Sequence, residues 1–294
     1  MAGVKIGVVY PQTELGGSAE AVRRIGRAAE ELGFDHLLAY DHVLGAVHEN
    51  RVPPLTGPYT ERDPFHDPLV MFAYLAGLTE RLAFVTGVLI LPQRQTALVA
   101  RQAADVDLLS GGRLRLGVGV GWNHVEYDAL GQDYHTRGAR EEEQIKLLRL
   151  LWSEEVVDYA GHFDRIDRAG TRPRPSRPVP IWLGGFGEIA LRRAARCGDG
   201  FIFAGPSDEV YRGWDLVRHL VSAEGRRPED FGGELAILSR KGPTDVAARA
   251  EAWEQAGGTH ASVVTMGLGL DSTEAQLDYM GRVADALDRA RPAP

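Results

Sequence analysis

Short runs of apolar and β-branched residues alternate along this chain with segments whose apolar positions recur every three to four residues. The first run, Val4–Tyr10, predicts a strand. The segment Ser18–Leu32 puts Val22, Ile25, Ala29 and Leu32 on one face and meets Gly33, which predicts a helix and its stop. Strand two is expected over His36–Asp41, helix two over Pro68–Thr79 and strand three over Leu82–Leu91. Strand three is almost wholly apolar, the pattern of a parallel strand covered on both faces. Helix three follows over Thr96–Leu109, then strand four over Arg113–Val120 and an irregular polar segment. Arg137–Trp152 reads as a helix with Ile145, Leu148 and Trp152 on its stripe and an i,i+4 pair, Glu142 and Lys146, on its wet side. Val156–Pro180 breaks the rhythm with a small hairpin (Val156–Tyr159, Phe163–Ile166) and a proline-spaced linker. Strands at Ile181–Leu183, Phe201–Ala204, Glu234–Ser239 and Ala261–Met266 then alternate with helices at Glu188–Cys197, Asp208–Ala223, Asp245–Ala256 and Thr273–Ala290.

Repeated βα units imply a parallel sheet. About eight of them in 294 residues favour a closed (β/α)8 barrel, typically ~250 residues plus insertions. The expectation is one barrel domain over residues 1–294, with insertions after strand two (His42 to about Asp67) and before strand five (Val156–Pro180). An open doubly wound sheet is the alternative. In a barrel, chemistry sits where strands end and βα loops begin. That rule selects Tyr10, Asp41-His42, Thr86 to Pro92, Gly119 to Asn123, Gly184-Gly185, Gly205, Ser239-Arg240 and Met266-Gly267.

Charge and composition narrow the function classes. The balance is 33 basic against 41 acidic residues, net −8, with no Lys/Arg block to track a phosphate backbone, so nucleic-acid binding is not expected. No apolar stretch is long enough for a bilayer, and the start of the chain lacks a signal-peptide core. A single cysteine, Cys197, forbids an internal disulfide and suits a reducing compartment. The expected location is the cytoplasm.

The glycines Gly117, Gly119 and Gly121 end strand four, and Gly184, Gly185 and Gly187 follow strand five. Two readings stand for strand four: backbone exposed to a flat or charged ligand, or small residues filling a narrow barrel interior. The spacing is GxGxG rather than the GxGxxG of a dinucleotide fold. The second cluster lies between a strand and a helix, where backbone N–H groups suit a phosphate, or where an ordinary tight turn needs them. Asp41-His42 reads as a carboxylate tuning an imidazole, or as a capping Asp beside a loop His. His48, His66, His124 and His135 read as loop histidines. No HExxH, CxxC or GxSxG motif is present, so no metal is expected.

These residues resemble a family. DHVL (Asp41–Leu44), LTERLAFVTGVLILPQR (Leu78–Arg94), LLSGGRLRLGVGVGWNHVEYDALG (Leu108–Gly131), RGAREEEQIKLLRLLW (Arg137–Trp152), PVPIWLGG (Pro178–Gly185) and GDGFIF (Gly198–Phe203) are similar, in order, to bacterial luciferase-like flavin and deazaflavin oxidoreductases. The nearer likeness is to the actinobacterial branch that uses coenzyme F420. The resemblance implies a (β/α)8 barrel with a flavin-type ring across its C-terminal mouth. It implies Asp41 and His42 near the ring, and a non-proline cis peptide at Gly87-Val88 pressing on it from behind. It places Val120, Gly121 and Trp122 at the strand-four end, with Gly184, Gly185, Phe186 and Gly205 on the cofactor side. Two departures matter. Trp122 stands where sugar-phosphate dehydrogenases of the family carry a Glu, which removes their acid–base partner. The Arg that holds the flavin phosphate in luciferase-type members, near Val120, is also missing, which favours F420 over FMN.

The resulting expectation is hydride transfer between F420 and a small, apolar organic substrate. His42 would be the proton donor or acceptor, Asp41 would orient it or touch the cofactor, and Trp122 would form an apolar wall. The hint of an apolar substrate comes from Tyr10, Trp122, Phe186 and Met266; Arg240 would serve an acidic group, a cofactor phosphate or solvent. The alternative is a monooxygenase that uses reduced FMN and oxygen with a separate reductase. A lesser one is a non-catalytic flavin-binding barrel. By analogy with the family, the partner is a second copy, as a homodimer.

Overall fold

The computed structural model describes residues 3–290. Eight parallel strands form the barrel: β1 (Lys5–Val9), β2 (His36–Ala39), β3 (Ala83–Thr86), β4 (Leu114–Gly119), β5 (Ile181–Gly184), β6 (Gly200–Phe203), β7 (Gly232–Leu238) and β8 (His260–Val264). Each pairs with its neighbour in chain order, Phe84 with Leu114 joins β3 to β4, and Lys5 with His260 closes the ring between β1 and β8. The helices are α1 (Ala19–Glu31), α2 (Pro68–Ala76), α3 (Thr96–Leu109), α4 (His124–Ala129), α5 (Arg137–Ser153), α6 (Glu188–Cys197), α7 (Ser207–Ala223), α8 (Pro243–Gln255) and α9 (Thr273–Ala290). Local chemistry accounts for several of their starts. Ser18 accepts the Ala21 N–H, and Asp67 accepts those of Leu69 and Val70 with Pro68 in the first turn. Residues 40–67 run between β2 and α2, and an antiparallel hairpin (Val157–Ala160, Arg165–Ala169) lies between α5 and β5.

Three expectations need correction. Strand three is not continuous. It stops at Thr86, turns through a cis Gly87-Val88 peptide, and resumes only as Leu89–Ile90 beside β4. The irregular segment after strand four contains α4. Glu142 does not pair with Lys146; α6 packs alongside α5, and Glu142 takes Arg193 and Arg196 instead.

Two layers fill the barrel. The upper one is Val9, Leu38, Val85, Trp182, Ile202, Val264 and Met266, with Tyr40, Val88 and Ala236 packed against it. Lower, near the strand starts, Glu234 accepts from Arg115 at 2.6 Å and meets the His36 ring at 2.8 Å, and Ser262 donates to it. The Arg115 guanidinium lies 4.0 Å from the Trp182 ring centre. Burial would raise Glu234, but Arg115 and His36 outweigh it and hold the carboxyl far below its ordinary value.

Candidate active site

The strand-end glycines have a structural use. A Cβ on Gly117 would run into the Thr86 carbonyl, one on Gly119 would lie 2.5 Å from a Val88 methyl, and one on Gly184 would lie 2.7 Å from the other Val88 methyl. Gly87 in turn leaves room for Leu38. The missing side chains of β4 and β5 therefore admit Val88 and Thr86. Gly121 has φ +63°, and the Val120 carbonyl accepts the Tyr127 hydroxyl at 2.7 Å.

Above this layer a cavity of about 870 Å³ opens at the barrel mouth. Tyr40, Tyr59, Ala236, Val264 and Met266 give it an apolar side, and Arg240, Lys241 and Arg249 a cationic one. Gly205, Pro206 and Ser207 close it at the start of α7, whose first turn has no side-chain cap. Neither has α6, which begins after Gly187. Backbone space at Gly187 and Gly205 is open, with nothing within 4 Å of a built Cβ. An apolar floor and uncapped N–H groups at two helix starts fit a flat ring with a phosphate tail.

His42 lies beside this mouth, in an aromatic cluster. Its ring centre is 4.8 Å from Phe65, 5.3 Å from Tyr59 and 5.5 Å from Trp122. Tyr59 belongs to both places, since it also lines the mouth cavity. His42 itself lines a second cavity of about 440 Å³ with Phe65, Asp67, Gln93, Arg94 and Leu130.

Asp41 does not orient His42. Its buried carboxylate accepts from the Ile90 N–H at 3.0 Å and from Arg94 at 2.7 Å, and Arg94 also binds Asp67 at 2.9 Å. The partner of His42 is Glu126 of α4, with Oε1 at 3.3 Å from Nδ1. That oxygen also accepts the N–H groups of Val43 (2.8 Å) and Leu44 (3.0 Å), and Gln93 donates to Oε2. Burial would raise Glu126, but His42, the Leu44 N–H and Gln93 outweigh it, so the carboxyl sits below its ordinary value. Glu126, Gln93 and Arg94 were not selected from the sequence. The first was legible in principle: Asn123 followed three residues later by Glu126 is a helix-start pattern, and Asn123 does cap α4.

The other expected residues scatter. Met266 lines the mouth cavity, whereas Tyr10 is buried in the core shared with the helices and Phe186 is 84% exposed. Trp122 packs under the loop, where a Cβ on Gly57 would collide with it and His48 meets it edge-on. His48 is stitched to the Tyr59 carbonyl at 2.9 Å. Burial pushes the Cys197 thiol up to about 12, far from a nucleophile's range. Among the described residues no cluster of His, Cys, Asp and Glu is arranged to hold a metal ion, and no helix is long and apolar enough to cross a membrane.

Comparison with known proteins places this geometry. The family model described as luciferase-like monooxygenase matches residues 4–293. An F420-dependent glucose-6-phosphate dehydrogenase of Amycolatopsis mediterranei is 34% identical over 188 residues, 62% of this chain and 53% of that protein. The solved structure of monooxygenase RslO1 from Streptomyces bottropensis has a TM-score of 0.79 at 22% identity, covering 97% of this chain and 99% of that one. An F420-dependent secondary alcohol dehydrogenase has a TM-score of 0.78 at 17% identity over the same shares. A family match over nearly the whole barrel shows that the chain belongs to the luciferase-like monooxygenase family of oxidoreductases.

Proposed function

We propose that the protein transfers a hydride between coenzyme F420 and a small organic substrate bound at the barrel mouth. The observation that carries this reading is the apolar-floored cavity of about 870 Å³ flanked, through Tyr59, by the His42 cluster. The named likeness to F420-dependent dehydrogenases and the lack of an arginine near Val120 support the choice of cofactor. When bound, a deazaflavin supplies two-electron hydride chemistry that side chains cannot. Tyr40, Val264 and Met266 would lie under the ring, and the backbone at Gly185, Gly187 and Gly205 would face its phosphate. His42 gives or takes the substrate proton. Phe65, Tyr59 and Trp122 shield it from water, and Asp41 serves the scaffold. Arg240, Lys241 and Arg249 support an acidic group on the ligand, so the substrate is not purely apolar in this reading.

The test is titration of the purified protein with F420 and with FMN, followed by ring fluorescence, and turnover of a panel of secondary alcohols with F420. His42→Ala is expected to keep F420 affinity and to lose ~10²–10⁴-fold in turnover. Failure of both cofactors to bind would overturn the proposal. The family's description and the RslO1 likeness favour a second reading, oxygen-dependent monooxygenation with reduced FMN from a separate reductase. Oxygen uptake with reduced FMN, absent with reduced F420, would decide for it.

A further inference from the structure

Glu126 occupies the third position of α4 and is 1% exposed. It does not reach back to its own helix start, as a carboxylate at this position commonly does. It points across to the turn that carries His42, where Oε1 gathers the N–H groups of Val43 and Leu44 and the His42 Nδ1, while Oε2 takes Gln93. Asn123 grips the same turn from the other side by donating to the Leu44 carbonyl at 3.2 Å.

We propose that Glu126 is a positioning residue that fixes His42 as its Nδ1–H tautomer and turns Nε2 away as the proton acceptor. The inference rests on the acid–base reading of His42. An ionised carboxylate accepts hydrogen bonds and donates none, so the ring nitrogen facing it must carry the proton. Nε2 then holds the lone pair, and it has no hydrogen-bond partner among the described residues. The other groups around the ring do not compete for Nδ1. Phe65 and Trp122 present hydrocarbon and indole surfaces, Tyr59 meets the ring edge-on, and His48 sits behind Trp122 on the Tyr59 carbonyl. Arg94 shares the smaller cavity with His42, but its charge is taken by Asp41 and Asp67. His42, the Leu44 N–H and Gln93 outweigh burial and hold the Glu126 carboxyl below its ordinary value.

The experiment is ¹⁵N–¹H correlation spectroscopy of ¹⁵N-histidine-labelled full-length protein across pH 5–9, with His42→Ala assigning the resonance. Expected is an Nδ1–H pattern for neutral His42. In Glu126→Ala, which takes the acceptor away from Nδ1, the Nδ1–H share falls and Nε2–H signals appear. Glu126→Asp keeps part of the Nδ1–H share, and thermal unfolding confirms that each variant is folded. An Nε2–H pattern in the parent protein, or an Nδ1–H share unchanged in Glu126→Ala, overturns the proposal. None of these readings needs a substrate. Full turnover in His42→Ala would separately sink the acid–base role, with the parent spectrum still showing Nδ1–H.

Discussion

Alanine at Gly119 is the sharpest test of what the glycine strand is for. The added Cβ would lie 2.5 Å from Val88 Cγ2, closer than side-chain carbons approach, and 3.2 Å from the Gly184 carbonyl oxygen. Val88 has little room to retreat. Its side chain is β-branched and stiff, and its other methyl already sits in the notch left by Gly184. Overpacking of this kind costs about 1–3 kcal/mol. At roughly 2 °C per kcal/mol for a chain of this size, the midpoint should drop by about 2–6 °C in a calorimetric scan without cofactor. The structure also specifies the rescue. With Val88→Ala both methyls go, and the contacts left to the new Cβ are the Gly184 carbonyl oxygen at 3.2 Å and the Val88 Cβ at 3.5 Å. Val88→Ala alone should cost roughly 1–1.5 kcal/mol at ~0.8 kcal/mol per methyl, less where the side chain is exposed. The double variant should then match Val88→Ala to within about 0.5 kcal/mol instead of adding the two losses. A Gly119→Ala protein as stable as the parent but weaker in cofactor binding would refute the reasoning and return the strand end to the ligand.

Two further outcomes follow from buried charge. Asp41→Asn should destabilise by about 3 kcal/mol, the low end for breaking a buried pair because Arg94 keeps Asp67, as read by urea unfolding of the cofactor-free protein; unchanged stability with lost cofactor affinity would put Asp41 at the ligand after all. Glu234 is held below its usual 4.5, so between 4.5 and its folded value the unfolded chain binds the extra proton. Its contribution is therefore complete above pH ~4.5 and lost as the pH falls further, and Glu234→Gln should flatten that part of an acid-unfolding curve.

Much of the fold was open to sequence reasoning because each βα unit announces itself locally. Helices α3, α6 and α9 carry the predicted bounds, and the barrel followed from counting units. The failures came where tertiary contact decides. The apolar run through Leu82–Leu91 gives no warning that Gly87 must let Leu38 in, so the strand looked unbroken. Glycines on β4 look the same whether they face a ligand or a valine in the break of the neighbouring strand. His42 was visible as an imidazole at a strand end. Its partner was not, because Glu126 lies 84 residues further on and meets it only through α4. Adjacency in sequence pointed to Asp41, whose carboxylate faces Ile90 and Arg94 instead.

Arg94 clasps Asp41 at one end of the long loop and Asp67 at the other. The loop thus leaves and re-enters the barrel at a single guanidinium, whatever lies between. Closure entropy grows only slowly with loop length, so segments of different size and chemistry can hang from that clasp without disturbing the strands. Residues 43–66 hang between those two carboxylates and carry Tyr59 and Phe65 to His42. Asp41, Asp67 and Arg94 are thus the three residues that any chimera exchanging this segment must keep.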